Sequence, residues 1–200
     1  IYMIIITSVA FVITRKYRWL VTCLLAFCAI EVLNIRESMV QSSQQDLVIY
    51  KVKGHEAVDL IKGHQHSMLA DSALVQDFDK MRFHIHHHWW WRDLDEPALK
   101  PIKSGFIYHD TCSVLVLDEV AKVPEALGDV DVLYVTARTK DHPKYLLDQL
   151  QADRVVLSVN LDWKTRNYWQ QLLKERQIDY HDIRSDGAFV MSDYSDSNLP

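Results

Sequence analysis

The sequence predicts a layered α/β domain, an α+β sandwich, preceded by transmembrane helices. Three observations predict it. Between Asp131 and Ser192, short apolar runs rich in β-branched residues alternate with segments of helical spacing, the pattern of strands and helices stacked in layers. Residues 46–71 hold three strand-like runs separated by turns at Gly54-His55 and Gly63-His64-Gln65. Residues 1–35 are two apolar runs interrupted by a basic cluster. Two hundred residues suffice for one domain with a real core and a short appendage.

The first run, residues 1–14 (IYMIIITSVAFVIT), is uncharged. It falls short of the ~20 residues that span a bilayer. Because the chain opens at Ile1 inside this run, the sequence predicts the C-terminal part of a longer protein. Arg15-Lys-Tyr-Arg18 reads as a basic loop, and residues 19–35 (WLVTCLLAFCAIEVLNI) as a second span with Glu31 near its far end. Residues 1–36 are therefore expected to form a transmembrane hairpin whose first helix is truncated. Two core helices, or a signal peptide, are the alternatives. An apolar segment ahead of the basic loop fits a signal peptide poorly. Short basic loops stay cytoplasmic, so the following residues are expected on the non-cytoplasmic side. Residues 37–45 read as a polar linker and 46–200 as the soluble domain.

That domain opens with strands at Asp46–Lys53, Glu56–Lys62 and His66–Asp71, which the turn spacing predicts as an antiparallel meander. A short helix is expected at Ser72–Lys80. Phe106–His109 and Ser113–Val120 read as a hairpin around Asp110-Thr-Cys112, followed by a loop at Pro124–Gly128. Asp131–Thr136 is an apolar strand. Pro143–Gln151 is a helix with Tyr145, Leu146, Leu147 and Leu150 at helical spacing and Pro143 in the tolerated first turn. Arg154–Val159 is a second buried-type strand. Trp163–Gln177 is a helix with Tyr168, Trp169, Leu172 and Leu173 on one stripe. Ile178–Arg184 is a further strand, Asp186-Gly187 a turn, and Ala188–Met191 the closing strand.

Charge is unevenly placed. Residues 37–200 hold 18 basic and 26 acidic residues, a formal net of −8. Such a domain gains nothing from general attraction to phosphate backbones, so nucleic-acid contact needs a local basic patch, and the sequence displays no strong one. Three cysteines, two of them in the apolar N-terminal part, make no disulfide framework.

Candidate chemistry is sparse. His84, His86 and His88 alternate, so a strand through Met81–Leu94 (MRFHIHHHWWWRDL) would put them on one face with His87 opposite. Three imidazoles on a face resemble a zinc site. Ligands spaced ~7 Å per step on one strand do not converge on one ion. The competing reading is an aromatic segment in which Trp89, Trp90 and Trp91 pack on the domain or face a membrane interface. Cys112 beside His109 and Asp110 suggests a thiol nucleophile or simply a small residue in a hairpin turn. Asp118-Glu119 reads as a ligand pair or as solvated strand-end acids. No serine sits in a nucleophile elbow, and no glycine loop cradles phosphate.

The order of elements resembles the C-terminal part of the ComEC-type DNA-internalisation competence proteins, whose last membrane helices precede a domain of metallo-β-lactamase-like fold. Where that family has a segment like LIDGG, this sequence has Ser67-Met-Leu-Ala-Asp71-Ser72. Where it has an apolar strand and an HHGS loop, Leu133-Tyr-Val-Thr136-Ala137-Arg138-Thr139 stands. Pro143–Gln151 and Arg154–Asn160 match its helix and IAVISVG strand in kind. Ile178–Met191, with Asp186-Gly187-Ala188, is similar to its closing run.

The resemblance implies a truncated, degenerate metallo-β-lactamase-like domain at the end of a multi-pass protein of the bacterial inner membrane. Asp71 and Asp118 are the residues it carries onto ligand positions. The HxHxDH motif of hydrolytic members is missing, and Thr136 and Ala137 replace the paired His. Two carboxylates without imidazoles do not hold a binuclear zinc centre. The expectation is a domain without hydrolase activity or cofactor that supports uptake of single-stranded DNA. Its expected partners are the membrane, the upstream transmembrane part of the same chain and other uptake proteins. Trp89 to Trp91 are candidate contacts to unpaired bases. The alternatives are an active zinc- or manganese-dependent nuclease or phosphoesterase using the His run with Asp71 or Asp118, and a membrane-anchored protein-interaction module docking through the Trp cluster.

Overall fold

The computed structural model describes residues 2–109, 112–118, 129–139 and 143–192. The chain divides into two compact units, Ile1–Ser43 and Gln44–Pro200.

The first unit is a helical pair. α1 (Tyr2–Thr14) packs against α2 (Tyr17–Ser42). Arg15 turns the chain in the left-handed region, with φ 51°, and its N–H closes on the Phe11 carbonyl at 2.8 Å. Only Arg15 and Lys16 lie between the helices, so the expected four-residue basic loop is half that length. α2 also runs on through residues 37–42, where a linker was expected. Nothing in Glu37–Ser42 (ESMVQS) is a helix breaker, and polarity alone does not stop a helix. By length and composition α2 is able to cross a membrane. Its apolar side chains, Leu24, Leu25, Phe27 and Leu33 among them, are open to the surroundings.

The second unit is a mixed α/β domain built on two mixed sheets. The first sheet comprises β1 (Gln45–Ile49), β2 (Ala57–Lys62), β3 (Gln65–Ala70), β4 (Ala98–Pro101) and β10 (Phe189–Ser192), in the order β10-β1-β2-β3-β4. The expected antiparallel meander is β1-β2-β3. The closing strand β10 returns to pair with β1, and β4, which the sequence did not signal, adds parallel to β3. The second sheet runs β5 (Gly105–His109), β6 (Cys112–Leu117), β7 (Val130–Val135), β8 (Ala152–Leu157) and β9 (Asp179–Asp182). β5 and β6 are the expected hairpin, and β6 to β9 are parallel. The loop expected at Pro124–Gly128, Glu119, and the Asp110-Thr111 turn lie outside the described residues.

Alternation along the strands sorts side chains into three cores. Leu47 and Ile49 of β1 meet Val114, Val116, Val132, Tyr134 and Val156 between the sheets. Val48 and Tyr50 point the other way, into a core with Leu74, Met81, Ile85 and Trp89. That core lies under α3 (Ser72–Gln76), α4 (Phe78–Met81), a π-helical turn (Arg82–His86) and α5 (His87–Arg92). Leu115, Leu117, Leu133, Val135, Val155 and Leu157 pack against Leu146, Leu147, Trp169 and Leu173. Those residues belong to α6 (Pro143–Gln149) and α7 (Trp163–Glu175). Asp162 caps α7, accepting from the N–H groups of Lys164 and Thr165. A one-turn helix, α8 (Ile183–Asp186), joins β9 to β10.

Candidate functional site

The parallel run β6-β7-β8 brings its carboxyl ends to one edge of the second sheet, the edge where open α/β sheets collect functional groups. In the first sheet the end of β3 lies beside the start of β2, since Ala70 pairs with Ala57. Residues just beyond these ends converge. Arg138, after β7, donates from Nη2 to Oδ1 of Asp71 at 2.8 Å and from Nε to Oδ1 of Asp118 at 2.7 Å. Asp71 follows β3 and Asp118 follows β6. Thr136 Oγ1 donates to the same Asp118 oxygen at 2.9 Å, and Asp71 Oδ2 accepts the Glu56 N–H at 2.9 Å. Ser104 fixes the Asp118 backbone, its hydroxyl donating to the Asp118 carbonyl while its oxygen accepts the Asp118 N–H. Partial burial works against the Arg138 charge. Asp118 and Asp71 outweigh it and hold the guanidinium above the ordinary arginine value.

Beneath this cluster lies a buried acid. Glu56 accepts from the Tyr134 hydroxyl, from Ser158 Oγ at 2.7 and 2.8 Å, and from Asn160 Nδ2 and the Ala137 N–H, both at 3.3 Å. Burial raises its pKa, and these donors offset only part of that. Burial and the neighbouring Glu56 push the Tyr134 phenol well above its usual range. Asn160 also donates to the His55 carbonyl at 2.8 Å and accepts the Gly54 N–H at 2.6 Å. Gly54 sits at φ +85°, a conformation that favours glycine. Arg166 pins the loop after β8, pairing with Asp182 at 2.8 Å and donating to the carbonyls of Ser158, Val159 and Leu161.

The sequence-derived carboxylates Asp71 and Asp118 are thus brought together, but around a guanidinium. Each turns Oδ1 to Arg138, and the neighbouring Thr136 and Ala137 offer only a neutral hydroxyl and a methyl. Among the described residues, no group of three or more His, Cys, Asp or Glu is arranged to hold a metal ion. The donor set does not fit a binuclear zinc centre.

A family model described as the ComEC C-terminal domain matches residues 47–193. The chain belongs to that family. Membership of the ComEC C-terminal domain family points to involvement in DNA uptake and to a membrane protein. Comparison with curated proteins gives no match. Comparison with solved structures gives none either.

In this ComEC C-terminal domain the His and Trp run is helical, so the shared face that a strand would give its imidazoles does not form. Met81, Ile85 and Trp89 recur every fourth residue and are buried, the period of a helix. The alternation of His84, His86 and His88 concealed it. The three imidazoles part company. His84 stands exposed against Phe83, His86 stacks on Trp89 with centroids 4.9 Å apart, and His88 Nδ1 meets the Tyr50 hydroxyl at 2.9 Å. Burial lowers the pKa of both His86 and His88. Of the three tryptophans expected as base contacts, Trp89 is buried and its Nε1 donates to Asp59 at 2.9 Å. Trp90 and Trp91 are exposed.

Sequence reading missed three groups. Asp59 is fully buried in β2 and accepts from Tyr50, His66 Nδ1 and Trp89. Burial alone would lower the His66 pKa, but Asp59 and the Asp95 carbonyl raise it overall, favouring the imidazolium. Glu56 read as the first residue of a strand, and Arg138 as one residue of a loop. An acid inside an apolar run (EAVDLIK) was the available signal. For Arg138 there was none, since its partners are 20 and 67 positions away. Cys112 is buried between the sheets, its Sγ 3.8 Å from Met191 Sδ, which is core packing rather than a nucleophile's setting.

Proposed function

We propose that this chain is the C-terminal part of a multi-pass inner-membrane protein of DNA uptake, and that its α/β domain is a degenerate metallo-β-lactamase-like scaffold without hydrolase activity. On this reading the domain lies on the non-cytoplasmic side and receives or supports single-stranded DNA, while the path through the membrane belongs to helices upstream. The observation that carries it is Arg138 bridging Asp71 and Asp118. A fixed cation neutralises the carboxylates that a hydrolytic metal would need, and a guanidinium bears no ionisable water to serve as nucleophile. The layered arrangement of the three cores supports the fold assignment. The apolar α2 supports a membrane-anchored role.

The test is a cleavage assay of the full chain on single- and double-stranded DNA with added zinc or manganese, beside a measurement of DNA uptake in cells carrying the Arg138→Ala variant. The expected result is no cleavage and reduced uptake. Cleavage that disappears in Asp71→Asn would refute the scaffold reading.

A further inference from the structure

We infer that the face formed by the β1–β2 turn, the helical segment 79–90 and the stretch from Arg184 to Ala188 is a binding track for single-stranded nucleic acid. It deepens the DNA-uptake reading and rests on it. Two open clefts carry it. One, of about 870 Å³, is lined by Lys51, Lys53 and Arg184 together with Phe83 and Asn160. The other, of about 680 Å³, shares Phe83 and adds Lys80, Arg82 and Trp90. Five basic side chains from three separated parts of the chain thus meet on one face, in a domain whose net charge is strongly negative. The acids at its margin are Asp79, in the second cleft, Asp77, which pairs with Lys80 at 3.0 Å, and Asp186, which feels Lys51.

The aromatic component comes from the helical period. Met81, Ile85 and Trp89 bury one stripe, while Phe83, His87 and Trp90 line the open cleft on another. Phe83 is 77% exposed and Trp90 66%, so both rings present open faces. A positively charged groove with aromatic platforms is the arrangement that binds single strands without reading their sequence. The track is also braced. Lys51 Nζ donates to the Arg184 carbonyl at 2.7 Å, and Asn160 ties the Gly54 turn to Glu56. Through Glu56, whose N–H reaches Asp71, the track adjoins the Arg138 cluster.

The experiment is fluorescence anisotropy of a labelled oligothymidylate of about a dozen nucleotides, titrated with the full chain in detergent across a salt series. Wild type is expected to bind at low salt and to prefer the single strand to a duplex. In Lys53→Glu/Arg82→Glu, affinity should fall at least ~10-fold and the salt slope should drop by about 1.4, two phosphate contacts at about 0.7 each. Phe83→Ala or Trp90→Ala should weaken binding about 5- to 100-fold with the slope unchanged. Melting curves matching wild type keep the variants interpretable. Absent binding at low salt, or equal binding by all variants, overturns the track. So does a bilayer outcome, in which brominated lipids in nanodiscs quench a signal lost in Trp90→Phe while no oligonucleotide binds. Cleavage of DNA with added metal would sink the scaffold reading yet leave the track standing.

Discussion

Arg138 Nη2 lies 2.8 Å from Asp71 Oδ1, and through this contact the loop after a strand of the second sheet holds the end of a strand of the first. The same guanidinium reaches Asp118 within its own sheet at 2.7 Å. One side chain therefore closes the edge of the sandwich at which the strand ends meet. Its charge takes the role that a bound cation would have between two acids.

Removing that charge leaves the two carboxylates facing each other. The Arg138 side chain is 45% exposed, so each ion pair is screened and contributes no more than about 1 kcal/mol. Arg138→Ala is expected to cost about 1–2 kcal/mol, a Tm lower by roughly 2–8 °C. Millimolar calcium or magnesium should recover part of the loss in the variant and leave wild type unchanged. Thermal melts with and without the cation check this. A variant that melts with wild type and ignores the cation contradicts it.

Glu56 makes stability depend on pH with a definite sign. Its folded pKa is raised by burial, so the fold favours the neutral acid. That contribution is present in full below the unfolded value of about 4.3 and is lost as pH rises through the raised folded value. Relative to Glu56→Gln, wild type should lose Tm as pH rises across that window. A difference that stays flat, or grows with pH, would show that burial does not raise the Glu56 pKa.

Adjacent tryptophans should behave oppositely. Trp89 is buried and donates to the buried carboxylate of Asp59, so Trp89→Phe leaves an acceptor short of a donor and should cost about 1–3 kcal/mol. Trp90 is exposed, and Trp90→Phe should stay within about 0.5 kcal/mol. Urea unfolding of the two variants separates them. Equal losses would mean that both rings share one environment.

Much of the fold was legible because its signals are local. β1 to β3 are separated by glycine turns, and β6, β7 and β8 are largely apolar runs too short for helices. β4 (Ala98–Pro101) was not legible, since its four residues are all exposed and gain strand geometry only by pairing with β3. The helix over 81–92 was not legible, because His at every second residue imitates a strand, while the buried residues at every fourth decide the backbone. Asp71 and Asp118 were singled out in the sequence, and the structure brings them to one guanidinium. The Arg138 bridge joining them, and the gathering of Lys51, Lys53, Arg82 and Arg184, were not found, because contacts across the sheets leave no spacing in the chain.

Elemental mass spectrometry of the full chain, loaded with zinc or manganese and desalted, tests the central claim most directly. With Arg138 seated between Asp71 and Asp118, the account predicts substoichiometric metal, the same in wild type and in Asp71→Asn. A stoichiometric pair of ions, retained by wild type and lost from Asp71→Asn, would contradict it.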